Sequence, residues 1–232
     1  MEIIIFSGAG ISAESGVATF RNSGGLWEQH KIEDAATPEA FQKNPELVLG
    51  FYNQRRKSVK NAVPNEAYRQ IPVLESIGNV TVITQNIDDL HERAGSMQVI
   101  HLHGCITQAK SSATDDFMEE IGFRDINIGD LAKEGSQLRP NIVWFGEPLP
   151  AMDKAINIVK KADVMITVGS SLNVYPAAGL VFETSKDCQN YVIDQNVQEL
   201  NLPDNFVLLK ENASLAIKNL VQQLTYGNIK SR

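Results

Sequence analysis

Gly8-Ala9-Gly10-Ile11-Ser12-Ala13 has the form G-x-G-x-x-A and directly follows the apolar run Ile3-Ile4-Ile5-Phe6. In that context the first glycine permits a tight turn and the second lets backbone approach a pyrophosphate. The alanine keeps helix and strand close. N–H groups exposed at the start of the following helix would bind the phosphates. The pattern points to dinucleotide binding, although a glycine turn also serves merely to reverse a chain. No acidic residue ends a second strand about 20 residues further on, which counts against a hydride-transfer enzyme. A second candidate pair is Tyr52 and Arg55, three residues apart and so on one helix face. A phenol beside a guanidinium can bind a carboxylate bidentately with an added hydrogen bond. Spacing alone favours the plainer arrangement, an amphipathic helix with Tyr at its boundary and Arg in solvent. Histidine has an unperturbed pKa near neutrality and suits proton transfer, but residue type alone singles out none of the four.

These groups need a frame to hold them. Short apolar runs rich in β-branched residues recur at Val80–Thr84, Val164–Val168, Tyr191–Ile193 and Phe206–Leu209. Like the first run they lack polar alternation, so they predict buried parallel strands. Met152, Ala155, Ile156 and Val159 fall at i, i+3, i+4 and i+7. So do Ala213, Ala216, Ile217 and Leu220, continued by Val221 and Leu224. Strands alternating with amphipathic helices predict an α/β fold, a Rossmann-like parallel sheet flanked by helices. Residues about 22–79 and 105–139 break the pattern and read as two insertions forming a smaller second lobe. The Rossmann-like core then comprises about 1–21, 80–104 and 140–232 of one catalytic domain.

Composition sets the outer bounds. At 232 residues, 43% apolar and 21% charged, the chain is long and apolar enough for a substantial core. A net charge of −7 argues against a sequence-independent grip on nucleic acid. No apolar stretch reaches the roughly 18 residues of a membrane span, and nothing resembles a signal peptide. Cys105 and Cys188 form no CxxC pair, so they support neither a disulfide framework nor a four-cysteine zinc site. Two cysteines suit a reducing cytoplasm. No segment suggests assembly, so the expectation is a monomer.

Six motifs in order resemble the sirtuin family. They are Gly8-Ala9-Gly10-Ile11-Ser12, Gly16-x-x-x-Phe20-Arg21, Thr84-Gln85-Asn86-Ile87-Asp88, His101-Leu102-His103-Gly104, Pro140-x-x-Val143-x-Phe145-Gly146-Glu147 and Gly169-Ser170-Ser171-Leu172-x-Val174. The resemblance implies NAD-dependent removal of acyl groups from protein lysine. The acyl-lysine carbonyl oxygen attacks C1′ of NAD and nicotinamide leaves. A base-activated ribose hydroxyl then attacks the resulting imidate, releasing lysine and an acylated ADP-ribose. By the same resemblance Gly8, Ala9, Gly10, Ser12 and Ala13 hold the pyrophosphate, and Phe20 and Arg21 lie beside the nicotinamide ribose. Gln85, Asn86 and Asp88 bind ribose hydroxyls and the carboxamide, Gly169, Ser170 and Ser171 hold the adenosine side, and His103 is the general base. Val143 and Phe145 line the groove for an acylated-lysine protein substrate. Tyr52 and Arg55, with Ala35-Ala36-Thr37-Pro38 upstream, are similar to relatives that prefer succinyl, malonyl or glutaryl lysine.

The sequence departs from that family in three places, one of them Thr19, which replaces the usual Asp before Phe20 as it does in the acidic-acyl relatives. Sirtuins usually carry two CxxC pairs between the His-Gly and Val-x-Phe-Gly motifs, holding a structural zinc. Here the interval has only Cys105, with Ser111-Ser112 near where a pair is expected, so no metal is predicted. Apolar packing through Phe117, Ile121, Phe123, Ile126 and Ile128 must then hold the small lobe. Asp194 stands where relatives often place an Asn against the adenosine ribose, and it can still accept from a hydroxyl. Two other readings compete: NAD hydrolysis or ADP-ribose transfer, and a non-catalytic NAD or ADP-ribose sensor. The combination of His103, Val143, Phe145 and the Tyr52–Arg55 pair favours deacylation.

Overall fold

A computed structural model of the chain describes residues 1–18, 31–195, 202, 203 and 205–227. Among them are nine strands: β1 (Glu2–Ser7), β2 (Asn79–Thr84), β3 (Val99–His101), β4 (Gly104–Ser111), β5 (Met118–Glu120), β6 (Leu138–Ile142), β7 (Val164–Val168), β8 (Gln189–Ile193) and β9 (Phe206–Leu209). Six of them form one sheet in the order β3-β2-β1-β7-β8-β9, with every pairing parallel. Within this sheet the first strand sits centrally and the chain winds outward on both sides, the doubly wound Rossmann order.

β1 explains its own position. Ile3, Ile4, Ile5 and Phe6 are all fully buried, which only a strand covered on both faces allows. Each such side chain stabilises the fold by about 1.5–3 kcal/mol. Ile3 and Ile5 face a layer made by Ala67, Tyr68, Ile71 and Leu74 and by the Ala213–Tyr226 helix. Ile4 and Phe6 face the opposite layer, built from the Met152–Val159 helix and Ala177–Phe182. Residues 66–76 therefore pack on the large sheet, although the sequence pattern grouped them with the smaller lobe.

The region around 105–139, polar and weakly periodic in sequence, contains strands β4 and β5 and leads into β6. Together they make a three-stranded antiparallel sheet in the order β5-β4-β6. This sheet rests on the Pro45–Asn61 helix, which starts cleanly because Pro45 is its first residue and Asn44 Oδ1 accepts from Leu47 N. Ile106, Ile142 and Trp144 pack against Phe51 and Tyr52, while Ala109, Ile126 and Leu138 pack against Leu49. Phe117 and Ile121 support the second cluster and Phe123 the first. Ile128 does not join them: it is 51% exposed, because it lies in a turn outside the sheet.

Polar groups add a staple to this packing. Arg56, fully buried in the helix, donates from Nε to Ile106 O at 2.8 Å and from Nη1 to Asn53 Oδ1 at 2.7 Å. Asn53 in turn holds both backbone groups of Ile126, at 2.9 and 3.0 Å. Beyond β4, Ser111 Oγ accepts from the N–H groups of Ala113 and Thr114 and lies 2.8 Å from Ser136 Oγ. This hydroxyl knot does not fit a zinc ion, which takes thiolates or imidazoles in structural sites. Among the described residues no group of three or more His, Cys, Asp or Glu side chains could hold a metal, and Cys105 and Cys188 are both buried and free.

Candidate active site

In doubly wound sheets, ligands bind beyond the carboxyl ends of the strands where the winding reverses. That point here lies between β1 and β7, and a cavity of about 1020 Å³ opens there. Its floor consists of the turn after β1 and the turn after β7. Gly8 N donates to Val168 O at 3.0 Å and Gly10 N to Gly169 O at 2.8 Å. A methyl group on Gly10 would meet Gly169 Cα at 2.7 Å, and one on Gly169, whose φ is +64°, would meet Ile11 N at 2.1 Å. The glycines of the G-x-G motif are thus required by the close approach of two protein loops.

Two expectations for this turn are corrected. The helix after Gly8 is a 3-10 turn, Ala9–Ser15, closed by Gly16 at φ +79°. Ala13 is exposed and lines the cavity rather than packing helix on strand; the buried contact is made by Ile11.

Gln85 and Asn86 enter the cavity wall from the end of β2. Gln85 Nε2 donates to Ser170 Oγ at 3.0 Å, tying that wall to the β7 turn. Asn86 Nδ2 donates to Gly8 O at 3.2 Å and Ser12 Oγ at 3.1 Å. Ser12 and Asp88 stand behind the wall, not on it. Ser12 Oγ donates to Asp88 Oδ2 at 3.2 Å and lies 2.7 Å from the Tyr68 hydroxyl, which itself reaches Asp88 Oδ1 at 3.5 Å. Asp88 is 4% exposed, and burial pushes its carboxyl upward despite hydrogen bonds from Leu90 N and Ser12. Tyr68, unmarked in the sequence, closes this network.

His103 follows β3 and lines the same cavity. Its Nδ1 lies 2.9 Å from Gln85 O; a carbonyl only accepts, so Nδ1 carries the proton and Nε2 is left basic. Burial lowers the imidazole's pKa and favours the neutral form, partly opposed by the hydrogen bond to that carbonyl. Neighbouring His101 plays a different part, with Nδ1 3.1 Å from Asn86 O and Nε2 2.8 Å from Glu92 Oε1. His91 is fully buried, 2.9 Å from Ser7 Oγ.

The opposite wall comes from the Pro45–Asn61 helix and the segment after β6. Tyr52 and Arg55, 4% and 7% exposed, are core residues that line the cavity, so Arg55 is not in solvent. Burial pushes the Tyr52 phenol up and the Arg55 guanidinium down, the latter resisted by Tyr52 and Asp88. Ala36 and Ile32 line the wall beside them, whereas Ala35 is in the core. Val143 and Phe145 border the opening, where Val143 N donates to His103 O and Phe145 N to Ala36 O. Trp144, the spacer between them in the Val143-x-Phe145 motif, also lines the cavity. Gly169, Ser170, Ser171 and Asp194 lie on the far side with Asn173, Glu14 and Glu211. Phe20 and Arg21 lie outside the described residues.

Comparison with known proteins places this arrangement. The Sir2 family model matches residues 8–176. The chain belongs to the Sir2 family. A Helicobacter pylori (strain J99 / ATCC 700824) protein named NAD-dependent protein deacylase is 46% identical over 222 residues, covering 96% of this chain and 94% of its own. A mutant Sir2 homologue solved as an ADP-ribose complex superposes with a TM-score of 0.91 at 36% identity, covering 100% of this chain and 94% of that one. A Sir2 structure holding a p53 peptide and NAD⁺ gives a TM-score of 0.78 at 31% identity, with 98% and 94% covered. The Sir2 match spans both glycine turns, the Gln85–Asp88 wall and His103.

Proposed function

We propose that this Sir2 family chain is an NAD-dependent protein-lysine deacylase whose acyl pocket favours succinyl, malonyl or glutaryl groups and also admits acetyl. One observation carries the reading: His103, with Nδ1 committed to Gln85 O, shares a cavity with the buried Tyr52–Arg55 pair. The base and the acyl-recognition pair thus line a single space, with the glycine turns at its floor.

The residues present fit the cofactor. NAD supplies an electrophilic ribose carbon, C1′, bearing nicotinamide as leaving group. Gly8, Ala9, Gly10 and Ala13 border the diphosphate, and Gln85 and Asn86 offer amide donors and acceptors to the nicotinamide ribose and carboxamide. Ser12 and Asp88 brace Asn86 from behind. Gly169, Ser170, Ser171 and Asp194 would receive the adenosine side, and by the family resemblance Phe20 and Arg21 would lie beside the nicotinamide ribose. His103 Nε2 takes the proton from a ribose hydroxyl so that its oxygen can capture the transferred acyl group. Val143 and Phe145 hold the acyl-lysine segment at the opening. Arg55, a cation on an apolar wall, favours an acyl chain ending in a carboxylate. The partners are acyl-lysine proteins rather than nucleic acid, in keeping with the net charge of −7. No described helix is long and apolar enough to cross a membrane. We read the chain as a cytoplasmic monomer.

The test supplies NAD with matched acetyl-, succinyl- and glutaryl-lysine peptides and follows free peptide and acyl-ADP-ribose by mass spectrometry. Succinyl turnover that needs both His103 and Arg55 is expected. Nicotinamide release without deacylated peptide would replace this reading with NAD hydrolysis or ADP-ribose transfer. Ligand binding without turnover would replace it with a sensor.

A further inference from the structure

Trp144 lies between the two groove residues and is nearly fully buried, yet its ring lines the cavity. Its indole Nε1 is 3.0 Å from the Tyr52 hydroxyl oxygen. An indole N–H only donates, so Tyr52 must be the acceptor in this contact. A phenol has a single proton, and with Trp144 occupying a lone pair that proton remains to be donated elsewhere. Tyr52 lines the cavity beside Arg55. We propose that Trp144 sets acyl-chain preference by holding the Tyr52 hydroxyl as a donor toward the cavity, where a carboxylate-ended acyl group satisfies it and an acetyl methyl does not. This inference rests on the acidic-acyl reading above and names a further residue behind it.

The indole is itself held in place. The Arg139 guanidinium carbon stacks 3.7 Å from the centroid of the Trp144 ring, a cation–π contact in a buried setting. Arg139 Nη2 donates to Glu147 Oε1 and Oε2 at 2.8 and 2.9 Å and to Ile142 O at 3.2 Å. Glu147 Oε2 closes the loop by accepting from Trp144 N at 2.8 Å. On the other side Phe41 lies 5.3 Å from the indole, centroid to centroid. Swinging the indole away would therefore forfeit its stacking on Arg139 and its contact with Phe41. Arg139 and Glu147 are positioning residues: they reach the acyl group only through Trp144 and then Tyr52.

The experiment measures kcat and KM for succinyl- and acetyl-lysine peptides with Trp144→Phe, Tyr52→Phe, the double variant and Arg55→Met. Trp144→Phe should lower the succinyl-to-acetyl ratio of kcat/KM roughly three- to tenfold, the scale of one net hydrogen bond, mostly through the succinyl KM. The double variant should be no worse than Tyr52→Phe alone, because Trp144 acts through that hydroxyl. Equal losses on both peptides, or effects that multiply in the double variant, would overturn the inference. Arg55→Met separates the two layers: an unchanged ratio there sinks the acidic-acyl reading itself. A reduced ratio there with none in Trp144→Phe keeps that reading and removes this one. A second measurement does not depend on Trp144→Phe folding. The chain has two tryptophans, hence two indole N–H signals in a ¹⁵N spectrum. Tyr52→Phe should shift the Trp144 signal, and an unmoved pair of signals would also overturn the inference.

Discussion

His103 and Gln85 are joined by a 2.9 Å hydrogen bond from imidazole Nδ1 to a backbone carbonyl, which fixes the tautomer. Burial outweighs that hydrogen bond, and the ring is held below its ordinary 6.5. The base form should therefore persist to lower pH than in a free histidine. The acid limb of kcat/KM, which reports the free enzyme, should fall below pH 6.5, and His103→Ala should reduce kcat on the order of 10²–10⁴-fold. An acid limb of kcat/KM above 6.5 would remove His103 as the group being titrated.

The His101–Glu92 pair has the opposite electrostatics. Burial alone would lower His101, but the Glu92 hydrogen bond and charge outweigh it and its pKa is raised; Glu92 is correspondingly lowered. A raised histidine stabilises fully below its unfolded value of 6.5 and loses that as pH rises through the folded value. A lowered carboxyl stabilises above its unfolded 4.5 and loses that as pH falls through the folded value. The Tm difference between the protein and Glu92→Gln should thus be widest between pH 4.5 and 6.5. Because Glu92 is 42% exposed, the difference should stay within about 1 kcal/mol.

Glycine substitutions should split by position. Gly50 lies inside the Pro45–Asn61 helix with nothing within 4 Å of an added methyl, so Gly50→Ala should stabilise by about 0.5–1 kcal/mol. Gly169→Ala combines a left-handed φ with backbone overlap and should destabilise well beyond the 1–3 kcal/mol or so of strain alone. Denaturant melts of both variants check the contrast, and a neutral Gly169→Ala would show that the two turns can part.

The small sheet should respond to its staple. Asn53→Ala strips both backbone partners from Ile126 and should cost about 1–3 kcal/mol. Amide exchange at Ile126 is the direct readout, expected to accelerate far more than exchange in β1.

Metal removal should do nothing. A hydroxyl knot at Ser111 and Ser136 needs no ion, so dialysis against a chelator should leave Tm and deacylation unchanged. A drop in either would reveal a metal-dependent small sheet.

How much of this was written legibly in the sequence depended on burial. β1, β2 and β7 lie at the middle of a sheet covered by helices, so their residues are almost all buried and mostly apolar. β8 opens with Gln189-Asn190 and the edge strand β9 leaves Val207 and Leu208 exposed, yet both are still marked by apolar and β-branched residues. β3 has only three residues, none fully buried, and gives no such signal. β4 shows a mixed pattern because one face meets the Pro45–Asn61 helix while the other carries Thr107, Gln108 and Lys110, with a bulge before Ala109. The Tyr52–Arg55 spacing was visible, but only the fold shows that both side chains are core residues on a cavity wall. Trp144 and Tyr68 escaped because their importance lies in hydrogen bonds to residues far away in sequence. No local pattern records such a contact.

The contact between Gly10 and Gly169 bears on how this chain could be recombined. Two turns from distant stretches interlock so closely that neither tolerates a methyl group facing the other. A chimera taking its first turn from one parent and its second from another would inherit two half-shapes made for different mates. Crossovers placed between these turns should therefore be productive only where both parents share the backbone path of both turns. Exchanging the two as a linked set should succeed where exchanging either alone fails.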